Sequence, residues 1–287
     1  MKNGLDNILR HLDRETAEII LSSDISSDSI KEIVISTGKK ITVITGTEKI
    51  YLDKKLFTNE IKEIFYSFCE YSVHTYKNEI CEGFITCDGG CRIGICGTAI
   101  YDNGKITGIK DISSLNIRIP HEIKGIADIL TSYFEHGILI IGPPCSGKTT
   151  ILRDTARIIS KKYKTVIVDE RMEISGTFRG TAFFDVGQAM VLNGFIKSDG
   201  IKIASRSLAP QVIICDEFGD EEDISSAIFA MKSGANIIAS IHAFDKKDFI
   251  SKPFINEILK KGIFSCFVFL DRNFNITEIT DKEGLLN

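Results

Sequence analysis

The clearest chemistry in the sequence lies in the run Gly142-Pro143-Pro144-Cys145-Ser146-Gly147-Lys148-Thr149-Thr150. It reads G-x-x-x-x-G-K-T, the Walker A pattern of a phosphate-binding loop. Each residue type has a task there. The glycines let backbone N–H groups curl around a phosphate, the lysine reaches the outer phosphates, and Thr149 offers its hydroxyl to Mg²⁺. The same spacing would also serve a plain glycine-rich turn that caps a helix. What favours a nucleotide is the context: the apolar run Gly137 to Ile141 precedes the loop, and the helix-forming Thr150-Ile151-Leu152-Arg153 follows it.

Carboxylates stand where such a site needs them. Val212-Ile213-Ile214-Cys215 is an apolar strand that ends in Asp216 and Glu217. Asp216 is the candidate for holding Mg²⁺ with Thr149, and Glu217 for polarising an attacking water. Val166-Ile167-Val168 ends likewise in Asp169-Glu170-Arg171, so Glu170 is a second candidate for orienting water, and the sequence does not separate the two glutamates. Ser240-Ile241-His242 closes a third apolar strand. Carboxyl ends of neighbouring parallel strands converge on one crevice, which makes His242 a candidate phosphate sensor. Arg92, Arg118, Arg171, Arg179 and Arg206 could supply positive charge to a phosphoryl-transfer site, in cis or from a neighbouring subunit; each could equally be a surface ion-pair residue.

These residues require a strand-and-helix alternation to position them. From Ile123 onward the pattern predicts a helix to Phe134, a strand at Ile138 to Ile141, the loop, a helix to Lys161, and a strand from Thr165. A helix over Asp199 to Leu208, a strand at Val212, a helix over Glu221 to Lys232 and a strand from Asn236 come next. A short helix over Phe254 to Lys261 and strands near Phe264 to Leu270 and Asn275 to Thr280 close the chain. Arg171 to Gly194 shows little periodicity, and so long an irregular stretch marks a functional or mobile segment. The first part reads differently. Leu5 to Leu21 has the stripe of one amphipathic helix, three short β runs follow between Glu32 and Asp53, and Asn59 to Val73 fits a second helix behind Thr58. Turns at Gly38-Lys39-Lys40 and Gly46-Thr47-Glu48 separate the β runs. The glycine-dense Gly83 to Gly97 and the Asp102-Asn103-Gly104 turn lead into strands that end at Pro120. The expected organisation is a smaller α+β domain over residues 1–122 and an α/β domain over 123–287.

Composition narrows the class. The chain has 287 residues, 43% hydrophobic and 26% charged, which suits globular domains and gives no sign of disorder. A net charge of -4 and the lack of a basic stripe interleaved with aromatics argue against nucleic acid as a partner, and so against a nucleic-acid translocase. The polar start Met1-Lys2-Asn3 has no export signal, and the longest apolar runs are well short of the ~20 residues of a membrane helix. A cytoplasmic chain, with membrane contact through partners, is the expectation. Cys81, Cys87, Cys91 and Cys96 cluster without the paired spacing of a zinc site and are expected to be reduced strand thiols.

Several motifs in order carry a family resemblance. They are Gly89-Gly90-Cys91-Arg92-Ile93-Gly94, Asn116-Ile117-Arg118-Ile119, the loop at Gly142 to Thr149, and Val168-Asp169-Glu170-Arg171. Phe178-Arg179-Gly180, Asp185-Val186-Gly187, and Ser207-Leu208-Ala209-Pro210-Gln211 running into Val212 to Glu217 complete the set. With them the chain resembles the stage III sporulation protein AA family, RecA-like ATPases related to the type II and type IV secretion ATPases. The match is close over residues 83 to 245 and weak over the first eighty. The resemblance implies a RecA-like P-loop NTPase domain behind a smaller N-terminal domain, ATP and Mg²⁺ as cofactors, and a homo-hexamer. It also implies a place on the cytoplasmic, mother-cell side of a secretion-like channel to the forespore, with membrane-channel proteins as partners. It puts Glu170 at the acidic box and His242 at the histidine box of secretion ATPases. The sequence departs from the family pattern at Cys91, where a histidine is usual, and at Phe218, where isoleucine is commoner; Arg92 is left as the stronger candidate in its segment. Two mechanisms are open, a motor that hydrolyses ATP and an adaptor that binds it with little turnover.

Overall fold

The computed structural model describes residues 4–46, 48–134 and 137–286. Met1-Lys2-Asn3 and Thr47, in the expected turn between the second and third β runs, lie outside the described residues. The chain divides into two compact units, Met1–His121 with Gly176–Phe183, and Glu122–Ser175 with Phe184–Asn287.

The first unit runs α1 (Gly4–Leu9), α2 (Arg14–Leu21), β1 (Glu32–Ser36), β2 (Lys40–Ile44), β3 (Lys49–Lys55), α3 (Thr58–Phe68), α4 (Lys77–Cys81), β4 (Phe84–Cys87), β5 (Cys91–Asp102) and β6 (Lys105–Arg118). Its strands form one antiparallel sheet in the order β3-β2-β1-β6-β5-β4. Register places Ile33, Ile117 and Ile93 in one row, and Ile35, Leu115 and Ile95 in the next. All six are buried, so the period-2 alternation of these strands has built a single apolar face. Leu5, Ile8, Ile61, Ile64, Phe65 and Phe68 of the helices belong to the same core.

The single N-terminal helix expected over Leu5 to Leu21 is two helices. Asp13 has extended backbone and its carboxylate accepts the Thr16 N–H at 3.0 Å, capping α2. That local bond outcompetes continuation of the first helix. The glycine-dense stretch is a hairpin turn: Gly89 and Gly90 have φ of +87° and +67°, and a Cβ on Gly89 would lie 2.5 Å from the Asn7 amide nitrogen. Residues 176–183, placed in the second domain from sequence, belong to the first unit. There Phe178 packs on the core and pairs in a small bridge with Thr181.

The second unit contains β7 (Ile138–Gly142), α5 (Lys148–Ile159), β8 (Thr165–Asp169), β9 (Met190–Asn193), α6 (Lys197–Ile203), β10 (Val212–Cys215) and α7 (Glu221–Lys232). After these come β11 (Asn236–His242), α8 (Lys246–Ser251), α9 (Ile255–Lys261), β12 (Cys266–Leu270), β13 (Ile276–Thr280) and α10 (Lys282–Leu286). The sheet order is β13-β12-β7-β11-β10-β8-β9, parallel except for the edge strand β13. Strands β7, β8 and β10 are buried at every position, as parallel strands covered on both faces must be.

Three expectations are revised here. The helix predicted over Ile123 to Phe134 shrinks to a 3₁₀ segment at Asp128–Tyr133, because Gly125 takes φ +86° and the Asp154 carboxylate accepts the Ala127 N–H at 2.9 Å. The helix expected from Asp199 starts at Lys197 and widens into a π turn at Ala204–Leu208 before Pro210. The aperiodic 171–194 stretch contains the four-residue edge strand β9, too short to leave a periodic signature, and is anchored by Asp169. That carboxylate accepts from the N–H groups of Glu173, Ile174 and Ser175, at 2.8–3.2 Å, and from the Ser175 hydroxyl at 2.6 Å.

Candidate nucleotide site

The loop between β7 and α5 lies at the carboxyl edge of the parallel sheet. Gly147 precedes α5 with φ +85°, and Lys148 and Thr149 open the helix, so that the positive end of a three-turn helix dipole faces the loop. Lys148 is buried. Its ammonium donates to the carbonyls of Gly142 and Pro143, at 3.0 and 2.7 Å, and lies 2.9 Å from Nδ1 of His242. Burial lowers its pKa, with the charges of Asp216 and Glu217 opposing the shift. His242 is brought to the lysine by register: it pairs directly with Gly142 across β11 and β7.

β11 separates β7 from β10 in the sheet, yet the tips of all three strands meet. Thr149 donates its hydroxyl to Oδ2 of Asp216 at 2.6 Å. Oδ1 of Asp216 accepts from the Ser240 hydroxyl and from the Glu217 N–H at 2.9 Å. Glu217 has left-handed backbone, φ +50°, a conformation costly for a non-glycine residue. It is held there by the bond from Phe218 N–H to the Ser240 carbonyl at 2.7 Å and by the Lys197 ammonium on the Glu217 carbonyl at 2.5 Å. Its side chain is clasped from two sides, with Arg171 at 2.6 Å from Oε2 and His242 Nε2 at 3.3 Å from Oε1. Arg171, Glu217, His242 and Lys148 thus form one continuous polar chain.

Glu170, exposed at the end of β8, lines a cavity of about 230 Å³ together with Asp216, Glu217, Arg171 and Lys197. Both candidate glutamates therefore border one space, but of the two it is Glu217 that contacts His242. Lys197, Asp223 and Ser240 were not anticipated. Lys197 and Asp223 form a buried pair at 3.1 Å under the Glu217-Phe218-Gly219 turn, and Asp223 also accepts the Gly219 N–H at 3.0 Å. A lone lysine carries no signal in sequence. Ser240 does carry one, as the hydroxyl that interrupts the apolar run before His242.

Arg92 and Arg118 belong to the first unit, where they are register partners across β5 and β6. The Arg92 guanidinium stacks 3.8 Å above the Phe84 ring, and Arg118 lies 3.5 Å from Glu32. Arg179 pairs with Glu70 in the same unit. Of the two departures from the family pattern, Cys91 is buried with its thiol 3.6 Å from the Gly4 carbonyl. Phe218 is buried edge-on against Phe264.

The donor set fits a nucleotide phosphate with Mg²⁺. The Ser146 hydroxyl, between Cys145 and Gly147 in the loop, is buried without a hydrogen-bond partner among the described residues, and orphaned buried hydroxyls are costly. A phosphate oxygen in the loop could satisfy it. Gly142 to Thr150 could hold the phosphates and Thr149 with Asp216 the metal.

A parallel sheet with the loop strand, an inserted strand and a carboxylate-tipped strand in that order, in a chain that also has a smaller α+β unit, defines the RecA-like class of α/β fold. Solved structures agree on the fold. The pilus retraction motor PilT superposes with a TM-score of 0.59 at 16% identity, covering 89% of this chain and 76% of its own. The ATPase DotB of Yersinia pseudotuberculosis gives 0.59 at 18%, covering 90% and 75%. The chain belongs to the family described as sporulation stage III, protein AA, whose model matches residues 2–285. It is 35% identical over 269 residues to stage III sporulation protein AA of Bacillus subtilis (strain 168), covering 89% of this chain and 88% of that protein. A further relative, the uncharacterized protein ycf45 of Cyanidium caldarium, is 32% identical over half of this chain and 44% of its own length.

Proposed function

We propose that this chain is a Mg²⁺-dependent ATPase that drives a secretion-like channel complex in endospore formation. The observation that supports this best is the 2.6 Å bond from Thr149 to Asp216, which joins the phosphate loop to the strand-end carboxylate across an intervening strand. Bound MgATP would supply the phosphoanhydride bond. Lys148 would turn from its own loop carbonyls to the phosphates, Thr149 and Asp216 would hold the metal, and Glu217 or Glu170 would orient water. His242, in contact with both Lys148 and Glu217, would couple phosphate to water. In this reading residues 1–122, joined by 176–183, and the remainder of 123–287 act as the two domains, and Arg92 or Arg118 lends positive charge to a nucleotide at its own or a neighbouring subunit's interface. The assembly is a homo-hexamer on the mother-cell, cytoplasmic side of the membrane, held there by channel proteins. Family membership and the fold shared with a pilus retraction motor support that placement. Among the described residues no helix is long and apolar enough to cross a membrane. The test is MgATP hydrolysis by the purified full chain against Lys148→Ala; equal rates in the two, in the assembled state, would refute it.

One observation favours a second reading, a nucleotide-regulated adaptor with little turnover. Glu217 is already engaged by Arg171 and His242, and Lys148 by its own loop. Glu217→Gln separates the two: sporulation that survives loss of hydrolysis would select the adaptor.

A further inference from the structure

The first unit contains a groove of about 670 Å³ between α3, the 73–77 segment and the ribbon formed by β5 and β6. One wall is the consecutive run Thr107–Ile112 of β6. β6 is irregular at both ends of this run, where its register against β5 shifts and Asp111 takes φ +50°, so the run does not alternate faces as a regular strand would, and its regular part is Gly108–Lys110. The register explains the opening. β1 pairs with β6 from Ser114 to Arg118 and then leaves the sheet at Thr37-Gly38, where Gly38 takes φ +70°. Beyond that point β6 pairs with β5 alone, and among the described residues no backbone hydrogen bond reaches the other edge of Thr107–Ile112. A strand position is vacant.

Two further features state what would fill it. Phe65 and Ile80, both buried, and Ile112 give the groove an apolar lining. Its rim carries exposed Lys62, Lys77 and Lys110, none in an ion pair among the described residues, against the single acid Asp111. The ribbon itself is two-stranded, with Ile100, Tyr101 and Ile106 exposed at 43%, 64% and 39%, and two-stranded ribbons are marginal until a third strand joins.

We propose that this groove docks an extended, acidic segment of a partner protein. The segment adds as a short strand at the open edge of Gly108–Lys110, between the two irregularities of β6. Its alternate apolar side chains enter the pocket at Phe65, Ile80 and Ile112, and its carboxylates meet Lys62, Lys77 and Lys110. Main-chain bonds to the open edge supply affinity, and the pocket and lysines supply selectivity. The inference is independent of the nucleotide reading, since no residue of the phosphate loop takes part.

The experiment is selection of a phage-displayed random dodecapeptide library on the full chain, followed by affinity measurement and amide hydrogen exchange with the enriched peptide. Enriched peptides alternate apolar and acidic residues and slow exchange at Gly108–Lys110. They bind Lys62→Glu/Lys110→Glu about tenfold or more weakly, the scale of reversing two charge contacts. These lysines are exposed, so the variant keeps the wild-type unfolding midpoint. Absence of an acidic alternating pattern, equal binding to the variant, or protection elsewhere would overturn the proposal. So would lysine-dependent displacement of the peptide by single-stranded DNA or by phosphatidylglycerol vesicles, which would assign the rim to phosphate groups.

Discussion

Lys197→Met probes the support beneath the site. The Lys197 side chain is 11% exposed and that of Asp223 3%, and their contact at 3.1 Å carries the Glu217 carbonyl and the Gly219 N–H with it. Removing one partner of a buried ion pair costs about 3–5 kcal/mol, because the other charge is left without compensation. For a domain of roughly 150–250 residues, 1 kcal/mol moves the midpoint by about 2–4 °C, so thermal unfolding of the second unit should fall by about 6–20 °C. Circular dichroism of the full chain measures it. Lys197→Met/Asp223→Leu removes both charges and should recover most of the loss. The pH dependence has a defined sign. Burial, the largest single effect, would lower the Lys197 pKa, but the charge and hydrogen bond of Asp223, together with Cys215 and Glu170, leave it raised above 10.5. A raised folded-state pKa stabilises fully below the unfolded value and is lost as pH rises through the folded one. The difference between wild type and Lys197→Met should therefore hold between about pH 6 and 9 and narrow above about 10.5. A single variant within about 1 kcal/mol of wild type would refute the reasoning.

Lys148→Ala should abolish stabilisation by MgATP, which in wild type reaches about 2.7 kcal/mol at a hundredfold excess over Kd, read by thermal shift. Glu217→Gln should keep nucleotide binding and lower hydrolysis by about 10²–10⁴-fold in a single-turnover assay. Arg171→Ala breaks an ion pair whose arginine is 59% exposed, so the unfolding midpoint should barely move; a clear fall would mean that the pair is structural. Cys96 and Cys145 are the exposed thiols among the described cysteines. Maleimide should label both, MgATP should protect Cys145 alone, and mass spectrometry of the labelled peptides distinguishes the two.

The β-branched and apolar runs at Ile138 to Ile141, Val166 to Val168 and Val212 to Cys215 were legible as buried strands because parallel strands covered on both faces need unbroken apolar sequence. The loop was legible for a related reason. Its glycines answer local demands of backbone conformation, and its Lys-Thr pair is the local pattern that a phosphate site would need; both hardly depend on the rest of the fold. Cooperative local choices were harder. Asp13 splits one expected helix and Gly125 dissolves another, since a single capping bond or left-handed residue outweighs weak propensities.

By itself, then, the sequence determined the glycine-rich loop at Gly142 to Thr149, the strand-end carboxylates and the change of pattern near Pro120. The tertiary structure decided what those groups touch. Inserting β11 between β7 and β10 brings His242 beside Gly142 and sets Ser240 on Asp216, and the aperiodic 171–194 stretch sends Arg171 back onto Glu217. Sheet order and side-chain pairing at such separations arise from packing the whole core. No local spacing encodes them, which is why Lys197 and Asp223 became visible only once the turn above them was in place.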